Sequence, residues 1–282
     1  MSISTLLPVE AFTALDVPDT GLHGRETGQG APLVVLHGFA PGIDSATEFS
    51  HQIASLSAHY RVVMLDLPGF GASAHLPIGE DYLADAVDRL VATLDALGID
   101  RASVLATSLG GWVTLRAALD HPDRFARLAL LAPGILNVNS AGARPPEGAR
   151  ALSSFLARPS EPAMLAWLES QVGDPSALTD QDVDVEMERA MAPGAIARLK
   201  SVSRTFDGWD QESALWMQCW KVEHPVLLLW GRENRDFLLD GALYGARRMP
   251  NADVVALSGC GGRAHHERAD AVTRLVSDFL TL

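Results

Sequence analysis

The segment from Ala106 to Gly111 has the composition of a tight turn that exposes a reactive serine. An apolar run that ends at Leu105 precedes it, and a helix-like run, Trp112 to Leu119, follows it. A strand, a sharp turn and a helix in this order can hold Ser108 at the apex, with its hydroxyl projecting above a sheet. An ordinary strand-to-helix turn that happens to contain a serine is the alternative interpretation.

Small residues flank this serine, as so tight a turn requires. Ala106 and Gly110 stand two positions on either side of it, and Gly111 would let the following helix pack close to the sheet. A serine nucleophile also needs donors for the negative charge that develops on its substrate. The backbone N–H of Leu109, at the start of the helix, is the first candidate donor.

Short apolar runs alternate with helical patterns along most of the chain. This alternation predicts a parallel α/β sheet, and residues 9–30 predict a small antiparallel ribbon beside it, which gives a mostly parallel sheet of eight strands. The predicted buried strands are 33–36, 61–65, 102–105, 128–131, 226–230 and 253–257. The predicted helices of the sheet layers are 82–97, 112–119, 240–249 and 267–282.

Between these strands, a central stretch shows helical patterns without any buried-strand run. Its predicted helices are 161–172, 179–191 and 194–204. An all-helical insert in a parallel sheet is typical of a lid. We therefore predict a core that spans 1–134 and 213–282, interrupted by a helical lid at 135–212.

Composition excludes several classes of protein. The 282 residues are 48% hydrophobic and carry a formal net charge of −13, which argues against a nucleic-acid surface or an anionic membrane as partner. No apolar run is long enough for a transmembrane helix, and Met1 to Glu10 lacks the pattern of a signal peptide. The two cysteines have neither a disulfide framework nor metal-ligand spacing. We therefore expect a cytoplasmic protein that acts on a small molecule, with no metal and no cofactor.

The chain resembles the α/β-hydrolase superfamily over nearly its whole length, and most closely the meta-cleavage-product C–C hydrolases. These enzymes cut vinylogous 1,5-diketone acids produced by ring-opening dioxygenases. Apart from the segment around Ser108, the motifs that carry the resemblance are 36–42, 66–71, 228–233, 239–242, 249–252, 260–261 and 266–270. The resemblance implies the α/β-hydrolase fold with a helical lid, a homo-oligomer, and an oxyanion hole formed by the backbone of Leu109 and of Phe39 or Ala40.

Two expected catalytic residues are missing from this pattern. Where the family has the acid of the Ser-His-Asp triad, this chain has Asn234, and where the family has the histidine base, it has Gly262. Motifs match on both sides of each position without insertion. The resemblance therefore implies that the acid and base positions of the triad are vacated, while Ser108 remains.

Substrate recognition departs from the pattern too. The arginine that holds the substrate carboxylate in the family aligns with Glu186, and Arg189 lies three residues further along the same helix face, where it could substitute. An acidic residue at this place argues against the family's usual anionic substrate. With Arg189, the candidates for binding the substrate are His37 and Gly38, which adjoin the oxyanion loop, and Trp112, which could instead be core packing.

A displaced base is the remaining route to a reactive serine. His265 and His266 lie three and four residues past Gly262, and Asp236 lies two past Asn234. A pair formed by Asp236 and His265 could serve Ser108. The alternative is that the histidines start a solvated helix, that Asp236 is a loop charge and that His37 is structural.

Two classes of function follow. Without its base, a serine hydroxyl is a poor nucleophile, and loss of the base alone costs about 10⁶ in turnover in a comparable hydrolase. An enzyme that polarises a carbonyl could still act as a lyase, cyclase or isomerase, or hydrolyse weakly. The second class is a catalytically inactive homologue that binds a small molecule or a partner protein.

Overall fold

The computed structural model describes residues 12–282 except 16, 135–144 and 207–214. The first residues of the predicted ribbon and both ends of the predicted lid therefore lie outside the described residues, as does the segment read for a signal peptide. None of the described helices is long and apolar enough to cross a membrane.

Eight strands form one sheet, as the sequence predicts. In chain order they are β1 Thr13–Ala14, β2 Gly24–Thr27, β3 Ala31–Leu36, β4 Tyr60–Leu65, β5 Ala102–Thr107, β6 Phe125–Leu131, β7 Val226–Gly231 and β8 Ala252–Leu257. Their order across the sheet is β1-β2-β4-β3-β5-β6-β7-β8. The ribbon strands β1 and β2 pair antiparallel, β2 joins β4 antiparallel, and every other pairing is parallel.

The parallel strands are apolar throughout because both faces of the sheet are covered. In β3, Val34 and Leu36 belong to one core cluster, while Leu33 and Val35 belong to another. Successive side chains of a strand point to opposite faces, so these clusters lie on the two sides of the sheet. The apolar runs in the sequence therefore place the strands correctly.

The helices of the described residues include those predicted and three that the periodicity misses. They are α1 Ser45–Glu48, α2 Ser50–Leu56, α3 Tyr82–Ala96, α4 Ser108–Asp120, α5 Glu147–Ala157, α6 Glu161–Gln171, α7 Asp180–Ala190, α8 Ala195–Arg204, α9 Leu239–Arg248, α10 Ala264–Glu267 and α11 Ala269–Thr281. The missed ones are α1, α2 and α5.

Two predicted helix boundaries are corrected. Helix α4 begins at Ser108 itself rather than at Trp112, since the turn passes directly into the helix. The predicted closing helix is two helices, because Arg268 leaves helical geometry with φ −126° and ψ 42°. The short helix α10 before this break carries His265 and His266.

The described part of the central insert, residues 145–206, contains the helices α5 to α8 and no strand. Thr179 caps α7 through a reciprocal pair of hydrogen bonds with Asp182, as the segment Thr179 to Asp182 predicts. The insert is helical, as expected. That it works as a lid stays a prediction.

Candidate active site

The turn at Ser108 has the strained geometry that the sequence predicts. Ser108 has a φ of +44°, in the left-handed region that residues with a side chain rarely adopt. Strand β5 ends at Thr107 and helix α4 begins one residue later, so the serine stands at the corner between them. Strain of this kind persists only where the surroundings hold it, and it is concentrated at functional sites.

The glycines after the serine allow an approach that no side chain would permit. A Cβ on Gly110 would lie 2.6 Å from the carbonyl oxygen of Leu36, and one on Gly111 would lie 2.6 Å from the Cβ of Pro133. The N–H of Gly110 donates to the carbonyl of His37 at 3.0 Å. The start of α4 is therefore fixed against the end of β3, where the predicted oxyanion loop begins.

A cavity of about 310 Å³ opens at Ser108. Gly38, Phe39 and Ala40 line it on one side, as expected for the oxyanion loop, and Arg189 of α7 lines it as well. Leu109 follows the serine in the first turn of α4, where backbone N–H groups have no carbonyl acceptor within the helix. The loop and this N–H can together face the oxygen of a bound carbonyl compound.

Neither His37 nor Trp112 belongs to the cavity wall formed by the described residues, although both were expected to bind substrate. His37 is buried, its Nε2 accepts from the N–H of Leu67, and its Nδ1 lies 2.8 Å from the carbonyl of Gly38. Burial lowers the pKa of His37, so the ring is neutral and structural. Trp112 instead packs edge-on against Phe206, with ring centroids 5.2 Å apart.

A buried carboxylate that the sequence reasoning missed lies beside Ser108. Glu48, at the end of α1, lines the cavity, and its Oε1 accepts from His265 Nε2 at 3.1 Å. A Cβ placed on Gly38 would lie 3.4 Å from the Cβ of Ser108 and 3.7 Å from Oε1 of Glu48. The serine and the glutamate therefore flank the same glycine.

Burial disfavours ionisation of Glu48, but the facing imidazoles of His265 and His266 outweigh it and hold the pKa of this carboxyl well below its usual value. Burial lowers the pKa of His266 to about 3, so this ring is neutral at physiological pH. His265 is also buried and His266 largely so. The solvated helix start considered from the sequence is therefore wrong.

Asp236 lies on another side of the same cavity and does not pair with His265. Its Oδ2 accepts from Nε2 of Gln171 at 2.5 Å, and burial raises the pKa of its carboxyl. His265 is bound to Glu48 instead. The expected pair of Asp236 and His265 is therefore not formed, because each residue has a closer partner from another element.

Asn234 and Gly262 adjoin one another. A Cβ on Gly262 would lie 3.6 Å from both Nδ2 and Oδ1 of Asn234. The Oδ1 atom accepts from the backbone N–H groups of Asp236 and Phe237 at 2.9 Å, so Asn234 shapes its own turn. Oε1 of Gln171 would stand 3.2 Å from the same Cβ and so occupies the adjoining space.

Two arginines and a glutamate form a polar part of the cavity wall. Glu186 accepts from Arg263 at 2.8 Å and faces Arg189 at 3.4 Å. Arg263 is buried, which disfavours its charge, but Glu186 outweighs this effect and raises its pKa. The two cations therefore share the carboxylate of Glu186, a residue of α7.

A strained serine between a parallel strand and a helix, at the floor of one cavity, is the arrangement typical of the α/β-hydrolase fold. The chain belongs to the α/β-hydrolase-fold family, whose profile matches residues 31–269.

Among curated relatives, two are 30% identical over 263 residues, which cover 92% of this chain and 91% of each relative. They are the 2-hydroxy-6-oxo-6-phenylhexa-2,4-dienoate hydrolase of Burkholderia cepacia and the 2-hydroxy-6-oxononadienedioate/2-hydroxy-6-oxononatrienedioate hydrolase of Comamonas testosteroni. The family and its C–C hydrolase relatives expected from the motifs are thereby confirmed.

Solved structures agree. The 2-hydroxy-6-oxo-6-phenylhexa-2,4-dienoate hydrolase of Rhodococcus sp. strain RHA1 superposes with a TM-score of 0.83 at 28% identity, covering 96% of this chain and 99% of that one. The meta-cleavage product hydrolase of Pseudomonas fluorescens IP01 gives 0.81 at 25% identity, with 97% and 99% covered.

Proposed function

We propose that this chain is an enzyme that acts on a small carbonyl compound without a conventional catalytic triad. One observation carries the proposal. The strained Ser108, the loop residues Phe39 and Ala40, and the buried pair of Glu48 and His265 all line one cavity. Burying an ionised carboxylate against a histidine is costly unless the pair is used or well compensated, and such pairs concentrate at active sites.

The adjacency of Asn234 and Gly262 supports a degenerate triad. An acid and a base at these two positions would be in contact, as the family's mechanism requires, and here an amide and a hydrogen stand in their place. An amide cannot accept the charge of an imidazolium, and glycine has no proton acceptor in its side chain. Ser108 therefore lacks its usual activation.

The remaining groups can still perform chemistry on a carbonyl. Backbone N–H groups of Leu109 and of Phe39 or Ala40 would polarise the carbonyl oxygen, as an oxyanion hole does. The pair of Glu48 and His265 would move a proton on the substrate itself. Polarisation and proton transfer favour lyase, cyclase or isomerase chemistry, with hydrolysis through Ser108 weak by comparison.

The cavity favours a different substrate class from that of the named relatives. Those hydrolases are named for dienoates, which carry a carboxylate. Arg189 and Arg263 share the single carboxylate of Glu186, which an anionic substrate would have to displace from at least one of them. A neutral carbonyl compound would enter without displacing that glutamate.

A binding protein without catalysis is the second candidate. Gln171 supports it, because its amide stands beside Gly262 and bonds to Asp236, filling with a fixed polar group the space where a base would act. A ligand could then be held without being transformed.

Liquid chromatography coupled to mass spectrometry distinguishes these functions, because isomers of equal mass differ in retention. The parent and a Ser108→Ala variant would be incubated with a panel of small ketones, enols, lactones and the dienoates named for the relatives. Isomerisation or cyclisation leaves the mass unchanged, lyase chemistry divides it, and hydrolysis adds one water. We expect conversion without added water by the parent. Saturable binding of panel members without any conversion would overturn the enzyme proposal in favour of the binding one.

A further inference from the structure

Glu48 and His265, which line the cavity, converge with His266, and all three side chains are largely buried. Candidate ligand atoms of Glu48, His265 and His266 all lie within 4.8 Å of one another. Nε2 of His265 is 3.1 Å from Oε1 of Glu48, and Nε2 of His266 is 4.0 Å from Oε2. Consecutive residues of a helix normally point in different directions, yet these two imidazole centroids are 4.3 Å apart. Both rings therefore turn toward one carboxylate.

Most of the ring nitrogens in this cluster lack a partner. Within the part of the chain that the structure describes, Nδ1 of His265 and both ring nitrogens of His266 are buried and without a hydrogen bond. Buried polar atoms are nearly always paired, and leaving them unpaired costs free energy. An occupant that accepts nitrogen lone pairs would remove part of this cost.

We propose that Glu48, His265 and His266 bind one divalent transition-metal ion of the zinc type. Two imidazoles and a carboxylate form a donor set that suits zinc. Magnesium and calcium prefer sites made only of oxygen ligands. Ligand atoms around tetrahedral zinc stand about 3.4 Å apart. The observed separations of 3.1 and 4.0 Å lie on either side of this value, so small side-chain shifts complete the site.

The charges around the cluster can accommodate a cation. Arg263 faces Glu48 and His266, but its guanidinium is bound to Glu186 at 2.8 Å, which offsets its charge. The ring of His51 lies 6.0 Å from that of His266 and packs edge-on against it. The backbone carbonyl of His265 accepts from Gln52 at 2.8 Å, which fixes the start of α10.

Short-range spacing cannot reveal such a site, which is why no metal was expected from the sequence. Glu48 and His265 are 217 residues apart in the chain and meet only because α1 and α10 border the same cavity. A metal with three protein ligands keeps a position for water or for a substrate oxygen. Glu48 and His265 cannot carry a proton while they are metal ligands, so the proton transfer proposed above belongs to the metal-free cluster, and metal binding does not depend on that function.

Metal titration of the full chain tests the proposal. After chelator treatment, zinc binding would be measured by calorimetry and cobalt binding by visible absorption, in the parent and in Glu48→Gln and His266→Phe. The phenylalanine keeps a ring in the buried space. His75→Ala is the matched control, because Asp19, His23 and His75 form a second, largely exposed cluster with the same ligand spacing.

We expect one ion per chain, bound roughly 100-fold more weakly by Glu48→Gln and His266→Phe and equally by His75→Ala. Thermal melting would check that the variants fold, and if one fails, the other decides. Absence of binding to the parent would overturn the proposal, as would binding lost only in His75→Ala. The titration is repeated in Ser108→Ala, where an unchanged affinity alongside altered turnover separates the metal site from the proposed function.

Discussion

At the scale of single residues, the environment of Ser108 is set by hydrogen bonds and ion pairs among the side chains that line the cavity. Glu48 holds His265, Gln171 holds Asp236, and Glu186 faces two arginines. His265 and Asp236 thus each have a partner other than one another. We therefore propose that chemistry in this cavity depends on Glu48 and His265 rather than on the residues nearest to the family's acid and base positions.

Ser108 should be a slow nucleophile. We propose that Gly262 and Asn234 occupy the family's base and acid positions, so that Ser108 lacks the histidine that would take its proton. A fluorophosphonate probe should therefore label the parent slowly or not at all, which is measured by intact-protein mass against time. Ser108→Ala supplies the unlabelled control. Rapid stoichiometric labelling of the parent at Ser108 would show that another base activates it.

His265 and Asp236 should differ sharply in their effect on turnover. On a substrate identified from the panel, His265→Ala should lower turnover about 100-fold, the usual scale of acid–base contributions. Asp236→Asn should change it only a few-fold, since Asp236 bonds to Gln171 and not to His265. His265→Gln, which keeps a polar group of similar reach, checks for a merely structural effect. Equal losses in His265→Ala and Asp236→Asn would contradict this assignment.

Part of the site could be predicted from sequence because it is local. The serine turn, the oxyanion loop and the positions of Asn234 and Gly262 are each read within a few consecutive residues. Glu48 could not be predicted, since nothing near it in the chain marks it and its partner lies in another helix. The only available hint was the pair of histidines after Gly262, which has no meaning until the opposing carboxylate is known.

At the scale of elements, local signals decide what was predictable. Strongly periodic or capped segments such as α3 and α7 were found, and Gly98, with a φ of +64°, follows the end of α3. Helices α1 and α2 are short, and α5 follows a segment rich in proline and glycine, so their patterns are weak. Packing against neighbouring elements, rather than local propensity, sets such helices.

The junction of β5 and α4 should tolerate no side chain at Gly110. A methyl group there would meet two backbone carbonyl oxygens at 2.6 and 2.7 Å, and backbone cannot move aside cheaply. We expect Gly110→Ala to lower the free energy of unfolding by about 2 kcal/mol or more, measured by urea denaturation.

Gly98→Ala is the matched control for this junction. Gly98 has a positive φ, but no atom lies within 4 Å of a Cβ placed on it. The substitution should therefore lower the free energy of unfolding by only about 1 kcal/mol. Equal costs for the two substitutions would contradict the steric account.

At the scale of the whole molecule, a buried carboxyl behind the site links folding to pH. Asp66 accepts from the backbone N–H groups of Ser45 and Ala72 at 2.8 Å, yet burial, reinforced by Asp44, raises its pKa to about 7. The folded chain thus holds this proton more tightly than the unfolded chain. The free energy of unfolding should fall as pH rises from about 4 to about 7 through this group, and should level off outside that window.

Asp66→Asn isolates this contribution. The variant cannot titrate there, so the difference in unfolding free energy between parent and variant should change by up to a few kcal/mol across the window. Urea denaturation of both proteins at several pH values measures it. The part of the difference that does not vary with pH reflects the lost acceptor for the backbone N–H groups. A difference with no pH-dependent part would contradict the raised pKa of Asp66.

The most direct test of the central claim is to restore the missing acid and base. Gly262 is not among the positive-φ glycines, so a histidine there is free of backbone strain, although its Cβ would lie 3.2 Å from the flexible end of Gln171. We therefore predict serine-dependent turnover of a small activated ester by Gly262→His with Asn234→Asp. Adding Gln171→Ala should raise it further, and the histidine alone should recover more than the aspartate alone.

Ser108→Ala in the same background is the control and should abolish the gain. Ester hydrolysis that rises in the double variant and disappears with the serine is the result we expect. A folded double variant with the imidazole within hydrogen-bond reach of Ser108, but with no serine-dependent turnover, would contradict the claim that this scaffold still presents a usable serine and oxyanion hole.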